Sequence, residues 1–521
     1  MKKLKRMLAV LLTAIMTLAM ATTAFAAEAP TNGNLTVTLQ NGSLKDQRIY
    51  LFKLFNYTQI NPVTYTANVN YKGNLKTVLN VETNDDYDLY SAIAALGTVP
   101  GTVQKFANDF TKNIITNGTI AGTEDTDYWT ADVITETKNY EFKNVDPGYY
   151  LVYLGGSLRI QSSLVTVNGN TSVNLKSTTP TPDKTADKTS VNIGDVIKYD
   201  VEFTIPDITG YNPDKYVFTL KDTLSDGLDF VKSTTDKTVV NTGNLEVSVQ
   251  IDAQKAQNMN ATVTGREMSL NLKTLVTQNQ NENKGKKVKV TYYAQVNKNA
   301  ETGGTSNSAK LEYSNDPSTG GTGESNPDVV KTPTFDIKVH KYEHGKDKEY
   351  LANAIFQLHK DTPKGIIIKM EAESDNGKYT VAKDQDKATV TDLKTAVDQI
   401  GNTGANLQIY GLAEGTYYLV ETKAPEGFNE LNGVVKIVIT KNDTPTGYSI
   451  SAEVQDPEGL GTGIVGTPLN TEGNVVGIMN NRGTILPGTG GMGTVIFTIV
   501  GIVLILGVGA SFVISRKRKA E

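Results

Sequence analysis

Apolar and polar positions alternate in short runs along most of this chain, and turn-forming residues separate the runs. Leu35-Thr36-Val37-Thr38-Leu39, Val288-Lys289-Val290-Thr291-Tyr292 and Val434-Val435-Lys436-Ile437-Val438-Ile439 are examples. Successive side chains of a strand point to opposite faces, so a period of two marks a strand with one buried face. Repeated between turn signals, such runs predict an all-β chain of sandwich domains. Helical periodicity is limited to residues 87–115 and a shorter stretch at 391–400, read as insertions between strands. Two Pro/Thr-rich breaks, STTPTPDKT at 177–185 and NPDVVKTPTF at 326–335, divide the body into 27–176, 177–331 and 332–484. Each piece has the size of one domain. A faint repeat links the outer two: PGYYLVY at 147–153 echoes EGTYYLVE at 414–421, placing Tyr153 where Glu421 stands.

The ends have a different pattern. Residues 1–26 begin with Lys2, Lys3, Lys5 and Arg6, continue as an apolar run and close on Ala24-Phe25-Ala26. That is the order of a secretory signal peptide cut after Ala26. Residues 494–515 carry no charge and are followed by Arg516, Lys517, Arg518 and Lys519. About 20 apolar residues cross a bilayer, and the basic cluster places the C-terminus in the cytoplasm. Residues 485–521 are thus expected to hold a transmembrane helix and a basic tail behind a secreted body.

Charge and composition narrow the function. Without the two ends, 43 basic residues face 55 acidic ones, a net charge of about −12. Such a surface offers no electrostatic footprint for nucleic acid or anionic lipid. There is no cysteine. Exported domains commonly rely on disulfides, so this chain needs large cores or another covalent device.

Strand parity exposes an oddity that bears on that device. In YYLVETKAPEGF at 417–428, Tyr417, Leu419 and Glu421 share a face. In FDIKVHK, Lys341 continues the face of Phe335, Ile337 and Val339; in VVGIMNN, Asn480 continues that of Val476 and Ile478. The middle piece repeats the set. Asp222 follows Tyr216, Phe218 and Leu220, and Asn307 shares a face with Ala309, Leu311 and Tyr313, while Ser308, Lys310 and Glu312 face out. Lys184 opens that piece, where prolines leave no alternation to test. Two readings follow. Each trio is a hydrogen-bonded polar cluster or an exposed strand end, because unpaired buried charges cost several kcal/mol. Alternatively, the trios are reactive. Burial lowers a lysine pKa and raises that of a carboxylic acid. A neutral amine can attack an asparagine amide while a neutral acid hydrogen-bonds to its carbonyl oxygen and shuttles protons. The product is a Lys–Asn isopeptide bond, with Glu421 and Asp222 as the acids.

YYLVETKAPEGF closely resembles the E-box of Gram-positive sortase-assembled pilins, and LPGTGG at 486–491 resembles their sorting signal. Signal peptide, three β-domains, sorting signal, apolar span and basic tail together resemble a backbone pilin over the whole chain. The resemblance implies three tandem Ig-like domains of the collagen-adhesin A and B types, with a small helical insertion in the first. It implies intramolecular bonds from Lys341 to Asn480 and from Lys184 to Asn307, and LANAIFQLHK at 351–360 resembles the family's second strand. Asn481 is the rival to Asn480, disfavoured because it shares a face with Gly477 and Met479. With Tyr153 in place of the acid, the first domain is expected to carry no such bond.

The sorting signal, Leu486, Pro487, Gly488, Thr489 and Gly490, implies attack by a sortase cysteine at the Thr489 carbonyl. The implied partners are a pilin-specific sortase, a housekeeping sortase, other copies of the chain, ancillary pilins, peptidoglycan and a host-surface ligand. The implied place is the cell wall, as a surface pilus. Polymerisation needs an exposed donor lysine. In SVNLKSTTPTPDK the alternation turns Lys176 outward, although Asn174-Leu175 departs from the family's Tyr-Pro; Lys188 is the rival. The alternative is a wall-anchored adhesin or ancillary pilin that does not polymerise. No cofactor, metal or enzyme constellation is expected. His340, His344 and His359 read as solvated, with His340 facing out beside Lys341, and the Gly-rich stretches lack the Lys-Ser/Thr of a phosphate loop.

Overall fold

The structure is a computed structural model. It describes residues 31–482 apart from 41–42, 46, 59–63, 97–101, 117–118, 133, 136–137, 156–160, 176–178, 301–304, 317–319, 374–375, 432, 443–446 and 456–473. The signal peptide, the sorting signal, the expected span and Lys176 lie outside the described residues. No helix among the described residues is long and apolar enough to cross a membrane. The chain divides into two compact units. One runs to Thr189 and takes in Asp195–Asn299 and Gly304–Thr332; the other comprises Ser190–Gly194, Ala300–Gly303 and the chain from Pro333 on.

Strand dominates both units, and three β-sandwich assemblies follow one another along the chain. In the first, Gly33–Leu39 lies between Thr171–Leu175, to which it is parallel, and Asn139–Val145, to which it is antiparallel. A second sheet runs Thr64–Ala67, Ile49–Thr58, Gly148–Leu154, Gln161–Val167. Leu35, Val37 and Leu39 meet Leu51, Val152 and Leu154 between the sheets. The helices Lys72–Leu79, Asp86–Leu96 and Thr102–Ile114 cover the other face of the second sheet, over Phe52, Leu151 and Tyr153. Helical periodicity at 87–115 is therefore real. Lys72–Leu79 is a further helix, whose eight residues containing Gly73 give only a weak pattern.

The middle assembly is one hydrogen-bonded path: Asp183–Ala186, Val196–Thr204, Lys287–Val296, Thr242–Ile251, Gln257–Thr264, Glu267–Asn271, Phe218–Leu224, Ser306–Ser314, Thr322–Glu324. It folds over on itself, since Lys184 near its start touches Asp222 on Phe218–Leu224 near its end.

The third assembly has two five-stranded sheets. One runs Met370–Ala372, Lys378–Val381, Leu407–Leu412, Phe335–Glu343, Val475–Asn480; the other runs Leu393–Lys394, Ile355–Lys360, Gly415–Lys423, Val434–Lys441, Tyr448–Gln455. The first and last strands are neighbours and parallel, with Lys341 opposite Ile478. The helix expected at 391–400 is absent. Leu393–Lys394 is instead an edge strand on Ile355–Lys360, and the Thr395 hydroxyl bridges from Ala354 N to Leu351 O. Tertiary pairing overrides a weak amphipathic pattern there.

Candidate functional site

The third assembly brings Lys341, Glu421 and Asn480 together. Alternation along Gly415–Lys423 buries Tyr417, Leu419 and Glu421, as parity requires. Lys341 and Ile478 share a face across the parallel pair, and Asn480 lies two residues further along it. Two residues of strand span roughly 6.6 Å, a gap the extended lysine stem bridges. Lys341 Nζ donates to Asn480 Oδ1 and lies 3.2 Å from Glu421 Oε1. Asn480 Nδ2 donates to Glu421 Oε1 at 3.0 Å and Oε2 at 3.2 Å. Both charged side chains are 0 % exposed. Asn481, the rival, is exposed.

One detail departs from expectation. The acid faces the amide nitrogen of Asn480 rather than its carbonyl oxygen. A lysine can only donate, so it takes the oxygen and leaves the NH2 group to the carboxylate. Burial drives the Lys341 ammonium down to about 8, against the pull of Glu421.

Three supports of this site were not read from the sequence. Asn406 accepts from Lys341 N at 2.8 Å and donates to Leu351 O and Ala396 O, pinning the lysine's backbone. Leu431 N donates to Glu421 Oε2 at 2.7 Å. The Phe356 ring lies 5.6 Å from Lys341 Nζ and shields it from water. None belongs to an alternating run that continues through the trio.

The middle assembly brings Lys184, Asp222 and Asn307 into a second buried cluster. Lys184 Nζ lies 2.5 Å from Asp222 Oδ2, both side chains 0 % exposed. Tyr292 joins them: its hydroxyl accepts from Lys184 Nζ, donates to Asp222 Oδ2 and accepts from Asn307 Nδ2 at 3.2 Å. Tyr199 and Tyr292 place their rings 4.8 and 4.9 Å from Lys184 Nζ. Burial holds Lys184 below and Asp222 above their ordinary ranges, outweighing their mutual attraction. Both shifts favour an uncharged amine and an uncharged acid. Asp222 Oδ1 and Asn307 Oδ1 are buried without a hydrogen-bond partner, which fits an acid that carries a proton. The alternation Val288, Val290, Tyr292 held the signal for this tyrosine.

The first assembly has Tyr153, not an acid, at the place of Glu421. Tyr153 is buried on the helical side of its sheet, stacked on Tyr50 at 5.8 Å, and faces away from Gly33–Leu39. The outer helices reverse which face of the YYLV strand meets the opposite sheet. Among the other candidates, Lys188 Nζ donates to Val196 O at 2.7 Å. His340 is not solvated: it is 8 % exposed, contacts Glu349 O at 3.1 Å and packs 4.7 Å from the Tyr350 ring. The segment after its strand folds back, with Leu351 N bonded to Lys341 O, and covers that face. No group of three or more His, Asp or Glu among the described residues is placed to hold a metal.

Residues 335–453 match the family described as SpaA, prealbumin-like fold domain. The match covers the Lys341 and Glu421 strands. No curated protein sequence matches the chain. Among solved structures, the T6 backbone pilin of serotype M6 Streptococcus pyogenes is 15% identical, with 87% of this chain and 99% of that one covered at a TM-score of 0.43. The fimbrial protein FimP of Actinomyces oris is 17% identical over 88% and 99%, TM-score 0.44. The major pilin SpaA of Corynebacterium diphtheriae is 19% identical over 86% and 100%, TM-score 0.40.

Proposed function

We propose that this chain is the covalently polymerised shaft subunit of a cell-wall-anchored surface pilus, a substrate of sortases rather than an enzyme. The observation that carries this reading is the pair of buried Lys–acid–Asn clusters, each joining the first strand of an assembly to a late one in a chain without cysteine. Cross-links at those places suit a fibre under tension. The match of residues 335–453 to the SpaA prealbumin-like domain family and the order of terminal signals support the same reading. The organisation we propose is leader 1–26, domains 27–176, 177–331 and 332–484, and sorting tail 485–521.

In the third domain, the Lys341 ammonium loses a proton to solvent, and the neutral Nζ attacks Asn480 Cγ. The Cγ–Nδ2 bond breaks as the Nζ–Cγ bond forms, Glu421 accepts the second Nζ proton and returns one to Nδ2, and ammonia leaves. The reacting amine is the deprotonated form, whose fraction rises with pH up to the lysine's own pKa of about 8. Chain unfolded in urea during synthesis and refolded at a series of pH values should therefore lose ammonia about tenfold faster per pH unit below 8, levelling off above it. Mass spectrometry of quenched samples follows the rate; a flat profile between pH 6 and pH 8 would contradict an amine nucleophile.

In assembly, a sortase thiolate attacks the Thr489 carbonyl, breaks the Thr489–Gly490 bond and releases the membrane tail. The Lys176 amine of the next subunit then displaces the thiol, and the last subunit is passed to peptidoglycan. Wall extracts should show a detergent-resistant ladder that collapses to a single band in Lys176→Ala and persists in Lys188→Ala. A ladder lost only in Lys188→Ala would move the donor to Lys188. A single band in the wild type would favour the non-polymerising adhesin.

A further inference from the structure

We propose that the Tyr292 hydroxyl relays the proton to the leaving nitrogen in the middle-domain cross-link between Lys184 and Asn307. The inference rests on the cross-linking reading and deepens it by naming a fourth participant that touches the reacting atoms.

The two clusters solve one problem with different parts. In the third domain Glu421 itself contacts the amide nitrogen of Asn480, at 3.0 and 3.2 Å. In the middle domain the acid is Asp222, one methylene shorter; it interacts with the Asn307 side chain, but the close hydrogen bond of the Asn307 nitrogen, at 3.2 Å, is to Tyr292. The same hydroxyl donates to Asp222 Oδ2 and accepts from Lys184 Nζ. Aspartate plus a tyrosine hydroxyl thus reaches where glutamate reaches alone. The hydrogen-bond roles also orient the amide. With its own proton committed to Asp222, the hydroxyl can only accept from Asn307, so it takes Nδ2 and turns Oδ1 away. Oδ1 and Asp222 Oδ1 are both buried without a partner, which leaves an acid proton on Asp222 Oδ1 free to polarise the carbonyl.

The step balances. Nζ of neutral Lys184 attacks Asn307 Cγ, and the Nζ–Cγ bond forms as the Cγ–Nδ2 bond breaks. The Tyr292 hydroxyl turns its proton from Asp222 Oδ2 to Nδ2 and takes in its place the proton shed by Nζ, which already points at it. Ammonia leaves, and hydroxyl and carboxyl end as they began.

The test uses the full chain, pulse-labelled on expression and digested at intervals, with the Lys184–Asn307 and Lys341–Asn480 cross-linked peptides quantified by mass. Tyr292→Phe keeps the ring against Lys184 and removes only the hydroxyl. It should slow the middle bond by on the order of 100-fold, the scale of a lost general acid, while the third-domain bond forms at the wild-type rate. Asp222→Glu added to Tyr292→Phe should restore most of the rate, since the longer acid fills the space of the lost oxygen and reaches Nδ2. An undiminished rate in Tyr292→Phe overturns the relay. A slow rate without rescue in the double variant overturns it too and reduces Tyr292 to packing. Absence of the middle bond in the wild type overturns instead the cross-linking reading of that cluster.

Discussion

Glu421→Ala is expected to abolish ammonia loss from the third domain and to lower that domain's stability by several kcal/mol. Each condensation removes about 17 Da as a covalent change, so a wild type short by two ammonia should become short by one. The destabilisation has two sources. Lys341, 0 % exposed, loses the carboxylate at 3.2 Å, and removing one partner of a buried pair costs about 3–5 kcal/mol. Asn480 Nδ2 and Leu431 N lose their acceptor as well. The cross-link itself closes a loop of 139 residues, and a covalent closure of that length contributes on the order of 5 kcal/mol in the chain-entropy picture. Glu421→Gln separates the two effects. It keeps the volume and a hydrogen-bonding end but cannot carry the proton, so it should fold and remain unlinked. Intact mass and urea unfolding of both variants decide the matter, and full ammonia loss in Glu421→Ala would remove the acid from the chemistry.

The second large effect is mechanical. Phe335–Glu343 and Val475–Asn480 are the first and last strands of the third assembly, and they lie side by side. A bond between Lys341 and Asn480 carries tension straight from one to the other, so the 139 residues of chain it spans never feel the pull. Stretched between its ends in a force spectrometer, the wild type should release no length from this domain. Lys341→Ala should release up to roughly 460–500 Å, at about 3.3–3.6 Å per extended residue. Lys184→Ala should expose the chain up to Asn307 in the same way, and the wild type should withhold it. Extension of either domain in a chain shown by mass to be fully cross-linked would defeat the shunt.

How much of this was legible beforehand depends on what kind of fact is asked for. Facing is a property of local sequence. Alternation identified Glu421, Lys341, Asn480, Asp222 and Asn307 as inward, and all five are buried. Alternation failed for His340, which points away from Lys341 yet is covered because the chain from Leu351 folds back over that face. A period of two distinguishes faces; it cannot tell how many faces are covered. The same limit explains Tyr153, whose strand is buried on both sides once helices lie on the outer one.

The sequence by itself determined the all-β character, the inward facing of Glu421, Asp222, Lys341, Asn480 and Asn307, and the lack of cysteine that makes another cross-link useful, because side-chain direction along a strand follows from the backbone alone. Only the tertiary structure decided which inward groups meet. The parallel pairing of first and last strands sets Lys341 beside Asn480, and the folding-over of the middle sheet sets Lys184 against Asp222. It also supplied Asn406 and Tyr292, residues from elsewhere in the chain whose polar ends converge on those contacts. Convergence of this kind depends on strand order and register, which are fixed by long-range packing and are not written in any short stretch of chain.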